Sequence, residues 1–301
     1  MGVVKRNLYF DHGDTERKEM SETIDRPKFR ELRYGETKVI PREYDMVQLK
    51  MDGIWGCMTI SDGKWTIHSR TGKLKTEGEI EDKKLNTVLL GEFMFGSHWG
   101  HKMNKDRNFY IFDCVQVNGK KIDILSLASR LQHAGEMYDR LREDIEGLRI
   151  LEVFPSFHWH SLWDEYILEY GYEGLVFKDS TSIYGEKNAW ARMKAIIEID
   201  YICVGFRDAD EGTKYEGMVG SVLGTLSDKD VYVTCGGLTE VQRKMFTRAP
   251  ERYIGRVFTA KGNNWYPSGA IRHPMFQGWR EDKEPEECVY AQVPEGIRCL
   301  A

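Results

Sequence analysis

Apolar and polar positions along the chain fall into short alternating or clustered runs, which read as many strands and few helices. Val47–Met51 is a strand-like run with a lysine, Lys50, set inside it. Gly56–Ile60 and Trp65–His68 are further strands, joined by Ser61-Asp62-Gly63-Lys64, whose Asp-Gly pair signals a tight hairpin turn. Leu89–Phe95, Phe109–Val117 and Leu175–Lys178 continue the strand pattern. Two stretches keep the helical period instead. Leu127, Leu131, Ala134, Tyr138 and Leu141 place one apolar stripe on a helix, and Leu162–Tyr170 predicts a second, shorter one. Residues 14–34 are dense in charge and poor in apolar positions, which predicts a solvated helix or a loose arm.

After Lys194 the texture changes to short strands with glycine-rich turns: Tyr201–Phe206, Met218–Leu226, Val231–Cys235 and Arg256–Ala260, interrupted by one helix, Glu240–Arg248. That density of short strands suits a small Greek-key barrel of the OB type. The expected fold class is therefore α+β. A first domain of mixed and antiparallel sheets with helices, residues 1–197, precedes an OB-type barrel, residues 198–301, with an acidic tail. No internal repeat is present.

With 301 residues, 41% of them hydrophobic, the chain can bury a sizeable core. It has no apolar run of about 18 residues, so no transmembrane helix is expected. Its first residues, MGVVKRNLYFDHGD, lack the apolar segment of a signal peptide. Cysteines stand at 57, 114, 203, 235, 288 and 299 without a Cys-x-x-Cys pair, which argues against a zinc ribbon. Reduced thiols in a cytoplasm are the expectation. The net charge of −5 points away from a nucleic-acid partner. Most of it, however, sits in residues 281–301, where Glu281, Asp282, Glu284, Glu286, Glu287 and Glu295 face only Lys283 and Arg298. The rest of the chain is close to neutral and has room for a basic face.

The glycine-rich phosphate loops that usually announce a nucleotide site are absent from the sequence, as are Ser-His-Asp and Cys-His signatures. His98/His101 and His158/His160 have loose metal-like spacing but no third ligand. What stands out is an ordered series of short clusters at strand edges. They are Lys50-Met51-Asp52-Gly53, Ser69-Arg70-Thr71-Gly72, Leu90-Gly91-Glu92-Phe93 and Phe109-Tyr110-Ile111-Phe112-Asp113. Glu173-Gly174-Leu175-Val176-Phe177-Lys178, Trp190-Ala191-Arg192-Met193-Lys194 and Arg272-His273-Pro274-Met275-Phe276 follow, the last running on to Arg280-Glu281-Asp282-Lys283.

This series resembles the covalent nucleotidyltransferase superfamily of ATP-dependent DNA ligases, RNA ligases and mRNA capping enzymes, over roughly residues 45–283. The Ser-Arg-x-Gly that closes the hairpin and the Arg-His-Pro-x-Phe ending look most like the small bacteriophage-type DNA ligases. The resemblance implies an adenylation domain followed by the OB barrel. It also implies a reaction in which Lys50 takes AMP from ATP, passes it to the 5′-phosphate of a nick in duplex DNA, and the 3′-hydroxyl then expels AMP. An amine must be neutral to attack phosphorus, and lysine ordinarily is not at neutral pH. Arg192, Lys194 and a divalent metal, Mg²⁺ or Mn²⁺, are expected to disfavour the protonated form.

The remaining roles are implied position by position. Asp52 helps bind metal or the 3′ end of the nick, Arg70 grips the 5′-phosphate, and Glu92 binds the ribose hydroxyls. Phe112 stacks on adenine, Glu173 holds the metal, and Arg192 and Lys194 contact the α-phosphate. Arg272 orients pyrophosphate, with Arg280 and Lys283 as further candidates for that step. The implied partner is nicked double-stranded DNA, bound by a cytoplasmic monomer that needs no protein partner and no membrane. The family's Lys-x-Asp-Gly-x-Arg has Trp55 at its last position here, so that guanidinium contact is missing or supplied by Lys64 or Arg70; Trp55→Arg is expected to raise sealing. Two rival readings remain at this stage: an RNA ligase or capping enzyme, and a non-catalytic OB-type nucleic-acid-binding module that forms no covalent adduct.

Overall fold

The computed structural model describes residue 24 and residues 27–99, 102–103, 107–263, 265–266 and 268–293; the side chains of 96–99 and 102–103 are not described. His101 and Cys299 lie outside the described residues. Three mixed or antiparallel sheets and few helices make up the described chain. No described helix is long and apolar enough to cross a membrane.

The first sheet runs Phe29–Leu32, Trp190–Lys194, Gly174–Lys178, Met46–Lys50, Phe154–Pro155, with only the first pairing parallel. Of the charge-rich residues 14–34 expected as a helix or loose arm, 14–23, 25 and 26 lie outside the described residues, and Phe29–Leu32 form an edge strand held by backbone bonds to a buried neighbour rather than by an apolar pattern of its own. The second sheet centres on Asp52–Ser61, Thr87–Trp99 and Asn108–Val117. The predicted hairpin connects Asp52–Ser61 to Lys64–Ser69, with Asp62 at φ 52° and Gly63 at φ 76°. Two successive left-handed residues suit the right-handed twist of the flanking strands. Leu74–Glu79 adds an edge strand that the sequence pattern did not announce, because an edge with exposed side chains needs no apolar alternation.

Period-two alternation distributes the strand residues between faces. Trp55 and Cys57 pack toward the first sheet with Leu90, Phe112, Val176 and Trp190. Met58 and Ile60 face the opposite way, onto Ala134, Met137 and Leu141 of the helix Leu127–Leu141. The outer face of the first sheet, with Val47, Leu175 and Phe177, is covered by Trp159, Leu162, Trp163 and Ile167. These belong to a helical segment that opens as α over Trp159–Leu162 and widens to π turns over Trp163–Glu169. The two sheets therefore face each other, with a helix behind each.

The third sheet runs Val233–Cys235, Val219–Thr225, Ile197–Asp208, Val257–Gly262, Met275–Trp279 and has its own apolar cluster around Tyr201, Val222, Phe246, Phe258 and Phe276. The helix Glu240–Arg248 starts as predicted, with Thr239 and Gln242 forming a reciprocal cap. Gly236 bridges to Met275, bringing the two edges of this sheet together. Only Ala195 and Ile196 separate its first strand from Trp190–Lys194.

Candidate active site

Lys50 is the last residue of its strand in the first sheet, and Asp52 is the first residue of a strand in the second. The Lys-Met-Asp run is thus where the chain crosses from one facing sheet to the other. This crossing puts the lysine at the edge of the space between the sheets.

Register brings the rest of the cluster to it. Gly174 lies opposite Lys50 on one side and opposite Lys194 on the other. Glu173, one residue earlier, receives both lysines: Lys50 Nζ donates to Oε2, and Lys194 Nζ to Oε1 at 2.7 Å. Glu173 is 8% exposed. Burial alone would raise its pKa, but the two ammonium groups outweigh that and hold the carboxyl below its ordinary value. Lys50 is lowered, chiefly by burial; Glu173 opposes the shift and Lys194 adds to it. Burial therefore leads where nearby cations were expected to lead. Arg192, expected beside Lys194 at the phosphate, instead donates to Glu31 at 2.6 Å across the parallel strand pair.

Gly174 is required by close packing. A Cβ there would lie 2.0 Å from the Met193 carbonyl oxygen. Gly174→Ala should push apart the strands that hold Glu173 between its lysines. We expect it to lower stability by about 2 kcal/mol or more, read as a shift in denaturation midpoint, together with loss of activity.

Beside this cluster a cleft is lined by Lys50, Glu92, Phe112, Trp55, Trp190 and Lys178, among others. Lys50, Glu92 and Phe112 were assigned from the sequence. Lys178, Gln48 and Trp190 were not, although Gln48 and Trp190 each lie an even number of residues from an assigned lysine on their strand and so share its face. Lys178 is fully buried and its pKa is pushed down to about 7 by that burial. Its Nζ donates to Gln48 Oε1 and to the Phe112 carbonyl, and sits 3.8 Å over the Trp190 ring. Phe112 is at once core and cleft wall, 5.8 Å edge-on to Trp190.

Other assigned residues lie outside the cleft lining. Asp52 pairs with Arg272 of the third sheet's unit, so two residues expected on separate ligands meet each other. Arg70 is exposed just beyond the second hairpin strand, and among the described residues it makes no ion pair. Arg280 and Lys283 converge on Asp200, at 3.3 and 2.9 Å, and Arg280 also donates to Asp282. They anchor their own segment to the sheet. Asp200, 8% exposed, had no signal in the sequence. Among the described residues no three histidine, cysteine or carboxylate groups stand together as a metal cage. Glu173 and Asp52 could offer single carboxylates to a hydrated Mg²⁺ that also binds substrate phosphates, which is the usual mode for that ion.

The architecture has counterparts among solved structures. "Pmar-Lig_Pre." superposes with a TM-score of 0.60 at 18% identity, covering 79% of this chain and 64% of that one. "Pmar-Lig_PreS3" gives 0.61 at 17% identity, over 89% and 71%. A structure from "DNA binding with a minimal scaffold: Structure-function analysis of Lig E DNA ligases" gives 0.59 at 19% identity, over 85% of this chain and 100% of its own. The chain shares the fold of these three structures. It spans 64% of the length of the first of the three. No family model matches the chain, and no curated protein matches it by sequence. Within this fold, Lys50 lines the cleft between the two facing sheets, and Glu173 pairs with both it and Lys194 beside that cleft.

Proposed function

We propose that the chain is an ATP-dependent DNA ligase that seals nicks in duplex DNA through a lysyl-AMP intermediate on Lys50. The observation that carries this reading is a buried lysine with a depressed pKa, held by Glu173 beside an aromatic-walled cleft. Few structural roles require a lysine in that state, whereas an attacking amine does.

In this reading Lys50 gives its proton to Glu173 or solvent and attacks the α-phosphorus of ATP, expelling pyrophosphate. Lys194 stabilises charge on the transferred phosphate. Phe112 packs against the base and Glu92 accepts from the ribose. Arg192 reaches the phosphate only by leaving Glu31. Arg272, released from Asp52, would orient the pyrophosphate, and Asp52 would then be free for metal or the nick. Mg²⁺ would be held by Glu173 and Asp52 and would neutralise phosphate charge. Arg70, exposed, would grip the 5′-phosphate of the nick. Residues 1–197 would form the adenylation domain and 198–301 the OB-type barrel, a boundary supported by the separate apolar cluster of the third sheet. DNA would lie across both, held mostly by phosphate contacts, and a monomer suffices. Replication and repair are both served by such a reaction.

The test is a nick-sealing gel with a 5′-phosphorylated duplex, ATP and Mg²⁺, beside intact-mass detection of the adduct. Sealing of DNA with ATP supports the reading. An adduct formed only with GTP, or sealing confined to RNA, would replace it with the capping or RNA-ligase alternative.

The electrostatics make a signed prediction. Adenylation should rise with pH as Lys50 loses its proton, with a midpoint below that of an ordinary lysine. Lys194→Gln removes a cation that lowers the Lys50 pKa, so the rising limb should move to higher pH. Glu173→Gln removes the carboxylate that raises it, so the limb should move lower, at a reduced plateau. Single-turnover adenylation rates against pH for the three proteins check this; shifts of the same sign in both variants would contradict it.

A further inference from the structure

We propose that Trp55 reads the sugar of the nucleotide, its indole N–H donating to a ribose hydroxyl oxygen whose own proton is accepted by Glu92. This rests on the nucleotide reading above and deepens it.

Trp55 lines the cleft yet is only 6% exposed, and its Nε1 is buried with no hydrogen-bond partner. Buried donors without partners are rare in folded proteins, and indole nitrogen can only donate. The ring cannot turn away to find water, since it packs with Leu90, Phe112, Val176 and Trp190. Its missing partner is therefore an acceptor that enters the cleft.

The identity of that acceptor follows from the neighbour. Trp55 lies directly opposite Glu92 in the register of the second sheet, so the two side chains leave the same face side by side. Glu92 Oε1 accepts from the Gly53 backbone N–H at 3.2 Å, which fixes the carboxylate. An ionised carboxylate only accepts, and the indole only donates. A hydroxyl satisfies both at once, accepting from Trp55 and donating to Glu92. A phosphate oxygen would meet repulsion from the carboxylate. A guanidinium at position 55 would instead be drawn to Glu92 itself and compete with the sugar for it. Trp55→Arg would also set a charge among apolar rings, so a loss of stability should accompany any gain in sealing.

The test compares kcat/KM for self-adenylation with ATP, 2′-deoxy-ATP and 3′-deoxy-ATP in the wild-type chain and in Trp55→Phe. The wild type should lose about tenfold on one deoxy analogue. Trp55→Phe should lose severalfold with ATP and discriminate against that same analogue less than the wild type does, because only the Glu92 contact to the hydroxyl is left. Equal use of all three nucleotides by the wild type overturns the inference without reference to any variant. So does undiminished discrimination in Trp55→Phe. If the wild type forms no lysyl-AMP from any of them, the nucleotide reading itself fails, which is a separate result.

Discussion

Lys50→Ala is expected to abolish the AMP adduct seen by intact mass after incubation with ATP and Mg²⁺, and to lower nick sealing by at least about four orders of magnitude, as loss of a covalent nucleophile does. The variant should fold. Lys194 still pairs with Glu173 at 2.7 Å, so removing Lys50 does not leave a buried carboxylate alone. Lys50→Arg should fail as completely, because a guanidinium keeps its proton at any usable pH. That second variant separates a nucleophile from a mere positive charge. An adduct that survives Lys50→Ala would move the nucleophile elsewhere. Absence of an adduct in the wild type, after any pre-bound AMP is discharged with pyrophosphate, would favour the non-catalytic module.

The largest expected effect on stability lies away from the cleft. Arg130 projects from the buried face of the helix Leu127–Leu141 and is fully buried, as is its partner Asp113. The pair is bidentate, at 2.9 and 3.0 Å, and Arg130 also donates to the carbonyls of Leu125 and Ser182. Asp113 accepts the Cys114 backbone N–H as well. Arg130→Ala leaves that carboxylate buried without its cation, which should cost about 3–5 kcal/mol and lower the melting temperature by on the order of 10 °C. Replacing both partners together, Arg130→Met with Asp113→Leu, should recover much of the loss, since apolar groups of similar size leave no orphaned charge. Chemical denaturation of the three variants measures this. A single-variant loss below about 1 kcal/mol would mean the pair is far better solvated than its burial implies.

The proposed nucleophile, Lys50, was legible as a candidate because its signal is local. An apolar strand edge carrying Lys-x-Asp-Gly, followed in order by the other clusters, needs no coordinates to be noticed. The partnership of Glu173 with Lys50 was not legible. It spans 123 residues and depends on register, with Gly174 opposite both Lys50 and Lys194. Arg192 has a partner that was not legible for the same reason. Its charge fitted the pattern, but the acceptor beside it, Glu31, belongs to a charge-rich segment whose strand character comes only from pairing with a buried neighbour. Gln48 sat two residues from Lys50 on the same strand face, and period-two alternation would have found it.

Alternation, turn chemistry and capping act over a few residues, so the sequence by itself determined the central strands, the Asp62-Gly63 hairpin, the helices Leu127–Leu141 and Glu240–Arg248, and the candidacy of Lys50. Edge strands, the pairing of Asp52 with Arg272 and the retention of Arg280 and Lys283 by Asp200 were decided by tertiary structure. So was the unpartnered N–H of Trp55. Burial and ion pairing depend on which distant segments are brought within a few ångströms, and that distance is set by sheet register, not by neighbours in the chain.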